Sequence, residues 1–222
     1  MDFTGKITMA LLCILFILNC RYAPAQQDIQ IPLEEETDAL GMNSINGLIA
    51  SQRFGYSVAN CGDLNADGYD DMIAGAHITN SSTGRAYIFF GGAVVKTTPD
   101  LVLNGEAVNN SFGLTVAGAG DVNGDGYADV VVGANGFSSN TGRAYIFFGG
   151  FNMDNVADVV LTGPGFVNFG YSVSSAGDVN GDGFSDVIIS GHTYSSNRGR
   201  AYLFYGGVMM DNTIDKTFEG LA

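Results

Sequence analysis

Three short stretches of this chain concentrate oxygen-bearing side chains at fixed spacing. Asp121-Val-Asn-Gly-Asp-Gly-Tyr-Ala-Asp129 places them at positions 1, 3, 5 and 9 around a glycine at position 6. The same layout occurs in Asp63-Leu-Asn-Ala-Asp-Gly-Tyr-Asp-Asp71 and in Asp178-Val-Asn-Gly-Asp-Gly-Phe-Ser-Asp186. A hard cation such as calcium takes about six to eight oxygens at about 2.3–2.6 Å, and alternate ligands can wrap one ion if a mid-loop glycine permits the turn. The spacing therefore predicts three calcium loops and about three ions. Side-chain oxygens would come from Asp63, Asn65, Asp67 and Asp71, from Asp121, Asn123, Asp125 and Asp129, and from Asp178, Asn180, Asp182 and Asp186. Tyr69, Tyr127 and Phe184, at position 7, would contribute backbone carbonyls and leave their rings free to pack. A plain Asx-turn would account for one copy, but bare turns have no need of aspartate at position 9 every time.

The elements that must hold these loops are strands. Position 12 is Ala74, Val132 or Ile189, inside apolar runs, where a helix-loop-helix site would carry glutamate. The loops start at residues 63, 121 and 178, so each belongs to a unit repeating every 57 to 58 residues. Ser82-Thr-Gly-Arg-Ala-Tyr-Ile-Phe-Phe-Gly-Gly92 recurs almost unchanged at 140–150 and 197–207, and Phe54-Gly55 recurs as Phe112-Gly113 and Phe169-Gly170. Each unit reads as four short strands, exemplified by Gly55–Ala59, Asp71–Gly75, Arg85–Phe90 and Leu101–Leu103, with turn residues at every junction. Both faces of Ala86–Phe90 are apolar, which predicts a sheet packed between neighbours. The expected fold class is all-β, a β-propeller of four-stranded blades with about three blades present.

Phe112-Gly113, the 121–129 loop and Val132-Gly-Ala134, in that order, resemble the FG-GAP repeat of the integrin α-subunit N-terminal propeller; Phe54-Gly55 and Ala74-Gly-Ala76 match as well. The third copy departs from the pattern with Ser190-Gly191. The resemblance covers about residues 45–222. It implies a seven-bladed propeller whose calcium loops lie opposite the main ligand-binding surface. Seven units of this length need about 400 residues, so the repeat region, 45–222, is expected to be incomplete at its C-terminus. Two sheet faces would then stand open, and the competing expectation is self-association of three-blade chains through them.

Ahead of the repeats, Lys6, the apolar run Met9–Leu18 and Ala23-Pro24-Ala25 read as a secretory signal over 1–25; ten apolar residues are too few for the roughly 20 that span a bilayer. A lipoprotein signal ending at Cys20 is the alternative, with Asn19 a poor match before it. Residues 26–44 form a lead-in containing Glu34-Glu-Glu36, which reads as a solvated segment. Cys61 is then the one cysteine of the mature chain, which excludes an internal disulfide; it reads as a small buried hydrophobe.

A net charge of −14 with only 9 basic residues leaves no basic stripe for nucleic acid. Ligand positions of the loops hold nine of the 23 acidic residues. No Gly-x-Ser-x-Gly, His-Glu-x-x-His or phosphate-binding glycine loop is present, so no enzyme is expected. His77, Asn135 and His192 share one repeat position and read as polar residues leaving a strand, while Arg85, Arg143 and Arg200 read as turn anchors. The copies diverge most in the loops near Phe137, Phe151 and Tyr194, the best candidates for ligand contact. The expected function is an extracellular module, secreted or on the cell surface and without a membrane span in the mature chain, that recognises a protein or glycan ligand and is locked by structural calcium. The alternative is a non-catalytic propeller accessory to a secreted hydrolase.

Overall fold

The computed structural model describes residues 52–220. The expected export signal, the lead-in and the start of the repeat region lie outside them. Twelve strands in chain order form three four-stranded antiparallel sheets. Blade 1 is β1 (Val58–Gly62), β2 (Asp71–Ala76), β3 (Arg85–Phe89) and β4 (Leu101–Asn104). Blade 2 is β5 (Thr115–Gly120), β6 (Asp129–Ala134), β7 (Arg143–Phe147) and β8 (Val159–Thr162). Blade 3 is β9 (Phe169–Gly177), β10 (Asp186–Gly191), β11 (Arg200–Phe204) and β12 (Lys216–Glu219). Each strand pairs with the next, so every blade is a meander and part of a β-propeller.

The first strand of blade 1 starts three residues later than the sequence suggests. Arg53 and Gly55 take left-handed backbone (φ 55° and 76°), a turn that precedes the regular strand, although Gly55 already donates to the Gly75 carbonyl. The end of this strand shifts by three as well, to Gly62, while the bounds of the other three strands agree within a residue. Between the second and third strands of each blade lies the same left-handed turn, at 79–82, 137–140 and 194–197, built from consecutive positive-φ Asn and Ser residues. Asn is among the residue types that best tolerate that region. The stretches that differ most in sequence thus share one backbone shape.

Alternation along the third strand buries both faces. Ala86 and Ile88 join Cys61, Ile73 and Leu103 against Phe112, Val116, Val130, Val132 and Tyr145 of blade 2. Blade 2 repeats this against blade 3 through Ala119, Val131, Ala144, Ile146 and Leu161, which meet Phe169, Val173, Val187 and Tyr202. Burial pushes the Cys61 thiol up to about 12, with the Asp71 charge adding to it, so Cys61 is a core residue and no nucleophile.

The outer face of blade 1 shows what the interfaces cover. Val58 is 69% exposed and Met72 38%, whereas Val116 and Val130, at the same positions of blade 2, are 5% and 0% exposed. Phe54, Val58, Met72, Ala74 and Phe89 line a groove of about 530 Å³ on that face.

Candidate metal centres

Each aspartate-rich loop is the hairpin connection between the first two strands of a blade, as the sequence predicts. The register slips just before it, between Asn60 and Gly62 and between Gly118 and Gly120, and again where Asp186 pairs with Gly177. The glycines at these bulges have φ of 72°, 78° and 70°, a left-handed step that re-aims the chain so that the position-1 aspartate leaves the sheet.

In the middle loop, Asp121 accepts the backbone N–H of Gly124 at 2.6 Å on Oδ1 and of Gly126 at 2.9 Å on Oδ2. Asn123 Oδ1 accepts the Asp125 N–H at 2.9 Å, and Asp125 Oδ1 accepts the Tyr127 N–H at 3.0 Å. The Asn123 amide also donates to Asp125 Oδ2 at 2.9 Å, bringing positions 3 and 5 into contact. Loop 3 repeats this through Asp178, Asn180 and Asp182, and loop 1 through Asp63, Asn65 and Asp67 except that Asp63 Oδ1 takes the Asp67 N–H, at 3.1 Å. Glycine at position 6 has φ of 89°, 90° and 94° in the three loops, the conformation that permits the turn.

Position 9 is built differently. Asp71, Asp129 and Asp186 open the second strand and are fully buried. One oxygen accepts the N–H of position 2, Leu64, Val122 or Val179, at 2.7–2.9 Å. The other accepts an N–H from beyond the third strand, Gly91 at 2.7 Å, Gly149 at 2.8 Å or Gly206 at 2.9 Å. This second clamp is what sequence reading missed, although a Gly-Gly pair 20 residues after each position-9 aspartate is its visible mark. Burial is the main force holding the Asp129 carboxyl high, at about 7, against the pull of the Val122 and Gly149 N–H groups; the charges of Asp125 and Asp121 add to the rise. Asp71 is raised for the same reasons, burial first.

Among the described residues no three acidic, histidine or cysteine side chains are gathered into a ready cation cage. The carboxylates are turned onto backbone N–H groups. An ionised carboxylate has about four lone-pair sites, so the two or three bonds each accepts leave capacity for a cation. The donor set is all oxygen, crowded with negative charge, and suits calcium better than a metal that selects nitrogen or sulfur ligands.

These loops sit in a recognised framework. The FG-GAP repeat family is matched at residues 54–89, 112–147 and 169–204. The chain is an FG-GAP repeat protein. It is 34% identical over 99 residues to integrin alpha-5 of Xenopus laevis, 43% over 76 residues to integrin alpha-7 of Rattus norvegicus and 39% over 78 residues to integrin alpha-11 of Homo sapiens. Those alignments take in 41%, 33% and 33% of this chain but only 9%, 6% and 7% of the relatives, so the chain spans a small part of their length.

The FG-GAP elements have identifiable tasks here. Phe112 stands edge-on to Tyr145 and Phe147, with ring centres 5.3 and 6.2 Å away, and Phe54 and Phe169 do the same in their blades. Two of the candidate ligand-contact residues are stacked on by arginines. The Arg143 guanidinium lies 3.6 Å over the Phe137 ring, and Arg200 lies 3.6 Å over Tyr194 and pairs with Glu219. Phe151 remains 82% exposed. The two histidines stay in separate blades: His77 is buried against Tyr56, and His192 is exposed beside Tyr171.

Proposed function

We propose that this FG-GAP protein is an extracellular recognition module of the adhesion type, in which calcium held by the three loops is structural. Three in-phase copies of the donor pattern, each at the hairpin of a blade, carry this reading. The ligands would be Asp63, Asn65, Asp67, Asp71 and the Tyr69 carbonyl in loop 1, with the equivalent five residues in loops 2 and 3. Calcium, when bound, supplies charge that offsets the crowded carboxylates. The chain itself fixes positions 1, 3 and 5 by hydrogen bonds within the loop and position 9 by burial. Ligands spread over both ends of a hairpin make metal binding a contribution to folding. Extracellular sites of the weak class, with Kd of about 10⁻⁴–10⁻³ M, would still fill where calcium is abundant.

Export is supported by the signal-like sequence of residues 1–25, and recognition of an extracellular protein or glycan by the likeness to integrin α subunits. The described residues contain no helix long and apolar enough to cross a membrane. Thermal melting tests the structural role of the metal: chelation is expected to lower Tm, and Asp125→Ala to remove the share of that shift belonging to blade 2. Identical melting curves with and without chelator would contradict it. Retention on immobilised matrix proteins and glycans, compared in calcium and in chelator, tests recognition, and absence of retention on all of them in calcium would count against it.

A further inference from the structure

The calcium loops are wired to one another through the backbone. The Asp63 carbonyl accepts the N–H of Ala128 at 3.1 Å, and Ala128 is position 8 of loop 2. Likewise the Asp121 carbonyl accepts the N–H of Ser185 at 2.8 Å, position 8 of loop 3. One residue on, the Leu64 carbonyl accepts the Gly150 N–H and the Val122 carbonyl the Gly207 N–H, each at 2.7 Å. Position 1 and position 2 of one loop are therefore fastened to the following blade, beside the Tyr127 or Phe184 carbonyl and the position-9 aspartate of the next loop.

Position 2 is the pivot of this arrangement. Leu64 and Val122 are fully buried, Leu64 in the core shared by blades 1 and 2 and Val122 in the core shared by blades 2 and 3. Their N–H groups bind the position-9 carboxylates of their own loops, Asp71 and Asp129, at 2.7 Å. A shift of the following blade thus reaches a ligand through one peptide unit. Loop 3 supplies the contrast within the chain, since Val179 holds Asp186 in the same way but is 54% exposed.

Resting on the calcium reading above, we infer that the loops bind calcium as a coupled series, each strengthened by the loop and blade that follow it, with Leu64 and Val122 as positioning residues. The position-1 carbonyl, and through the same peptide the N–H that holds position 9, are tied to the next blade, whose Ala128 or Ser185 N–H comes from its own loop. Occupation of loop 2 therefore raises the affinity of loop 1.

Terbium, a calcium-sized lanthanide whose luminescence is sensitised by a tyrosine in the same loop, reads the loops separately. Loops 1 and 2 carry Tyr69 and Tyr127, and loop 3 carries Phe184. In a Tyr127→Phe chain the loop signal belongs to Tyr69. Adding Asp125→Ala is expected to raise the half-saturating terbium concentration of that signal about five-fold or more, the lower range of measured couplings between sites. Leu64→Ala should do the same, and Leu64→Met should restore binding. Unchanged half-saturation with Asp125→Ala would overturn the coupling and leave the calcium reading standing. A shift with Asp125→Ala but none with Leu64→Ala would overturn the role of Leu64. Absence of any Tyr69-sensitised signal in the Tyr127→Phe chain would overturn the calcium reading itself.

Discussion

A β-carbon added to Gly75 would stand 2.0 Å from the carbonyl oxygen of Gly113, in the next blade. Gly133 and Gly170 repeat the relationship at 2.1 Å, so glycine at both places lets the backbones of adjacent blades touch. Gly75→Ala is expected to force blades 1 and 2 apart and to cost about 1–3 kcal/mol, the range for overpacked sites. Ser190 occupies the same position in blade 3, where its hydroxyl accepts the Ser172 N–H at 2.9 Å. Ser190→Gly should therefore change stability far less than Gly75→Ala, and urea unfolding of the two variants measures the difference.

Arg143 joins three elements. Its guanidinium covers Phe137, its Nη1 meets Glu106 at 2.8 Å and its Nε meets Thr162 Oγ1 at 3.1 Å. Lysine keeps the charge but lacks the planar fork that stacks and donates at once. Arg143→Lys is expected to lower stability by about 1 kcal/mol, comparable to loss of one cation–π contact. Phe137→Leu should remove the same contribution, so a double-mutant cycle should show the two losses to be less than additive.

Burial, and then the nearby Arg53 charge, holds the His77 imidazole below its ordinary pKa. Protonation thus favours the unfolded chain, where the pKa is about 6.5. The stability contributed by neutral His77 is complete above that pH and is lost as pH falls below it. His77→Asn, which copies Asn135 of blade 2, should flatten the decline of the urea midpoint between about pH 6.5 and pH 5. A parallel decline in both proteins would contradict the assignment.

Blade architecture was legible because its signals are local and repeated. Strand alternation, turn glycines and the loop pattern recur in phase, and the structure places the loops at the expected hairpins. What stayed hidden depends on pairing between distant residues. Nothing near Asp129 announces that Gly149 will donate to it, and nothing in Leu64 distinguishes an interface plug from the exposed Val179 that occupies the same loop position. Sequence variation around Phe137 and Tyr194 likewise cannot reveal that an arginine six residues on folds back over each ring.

Calorimetric titration of the demetallated chain with calcium addresses the central claim most directly. About three ions should bind per chain, and Asp67→Ala, Asp125→Ala and Asp182→Ala should each lower the bound stoichiometry by about one, with Kd values in the range of about 10⁻⁴–10⁻³ M or tighter. A folded, metal-free chain that takes up no calcium would contradict the assignment of all three loops.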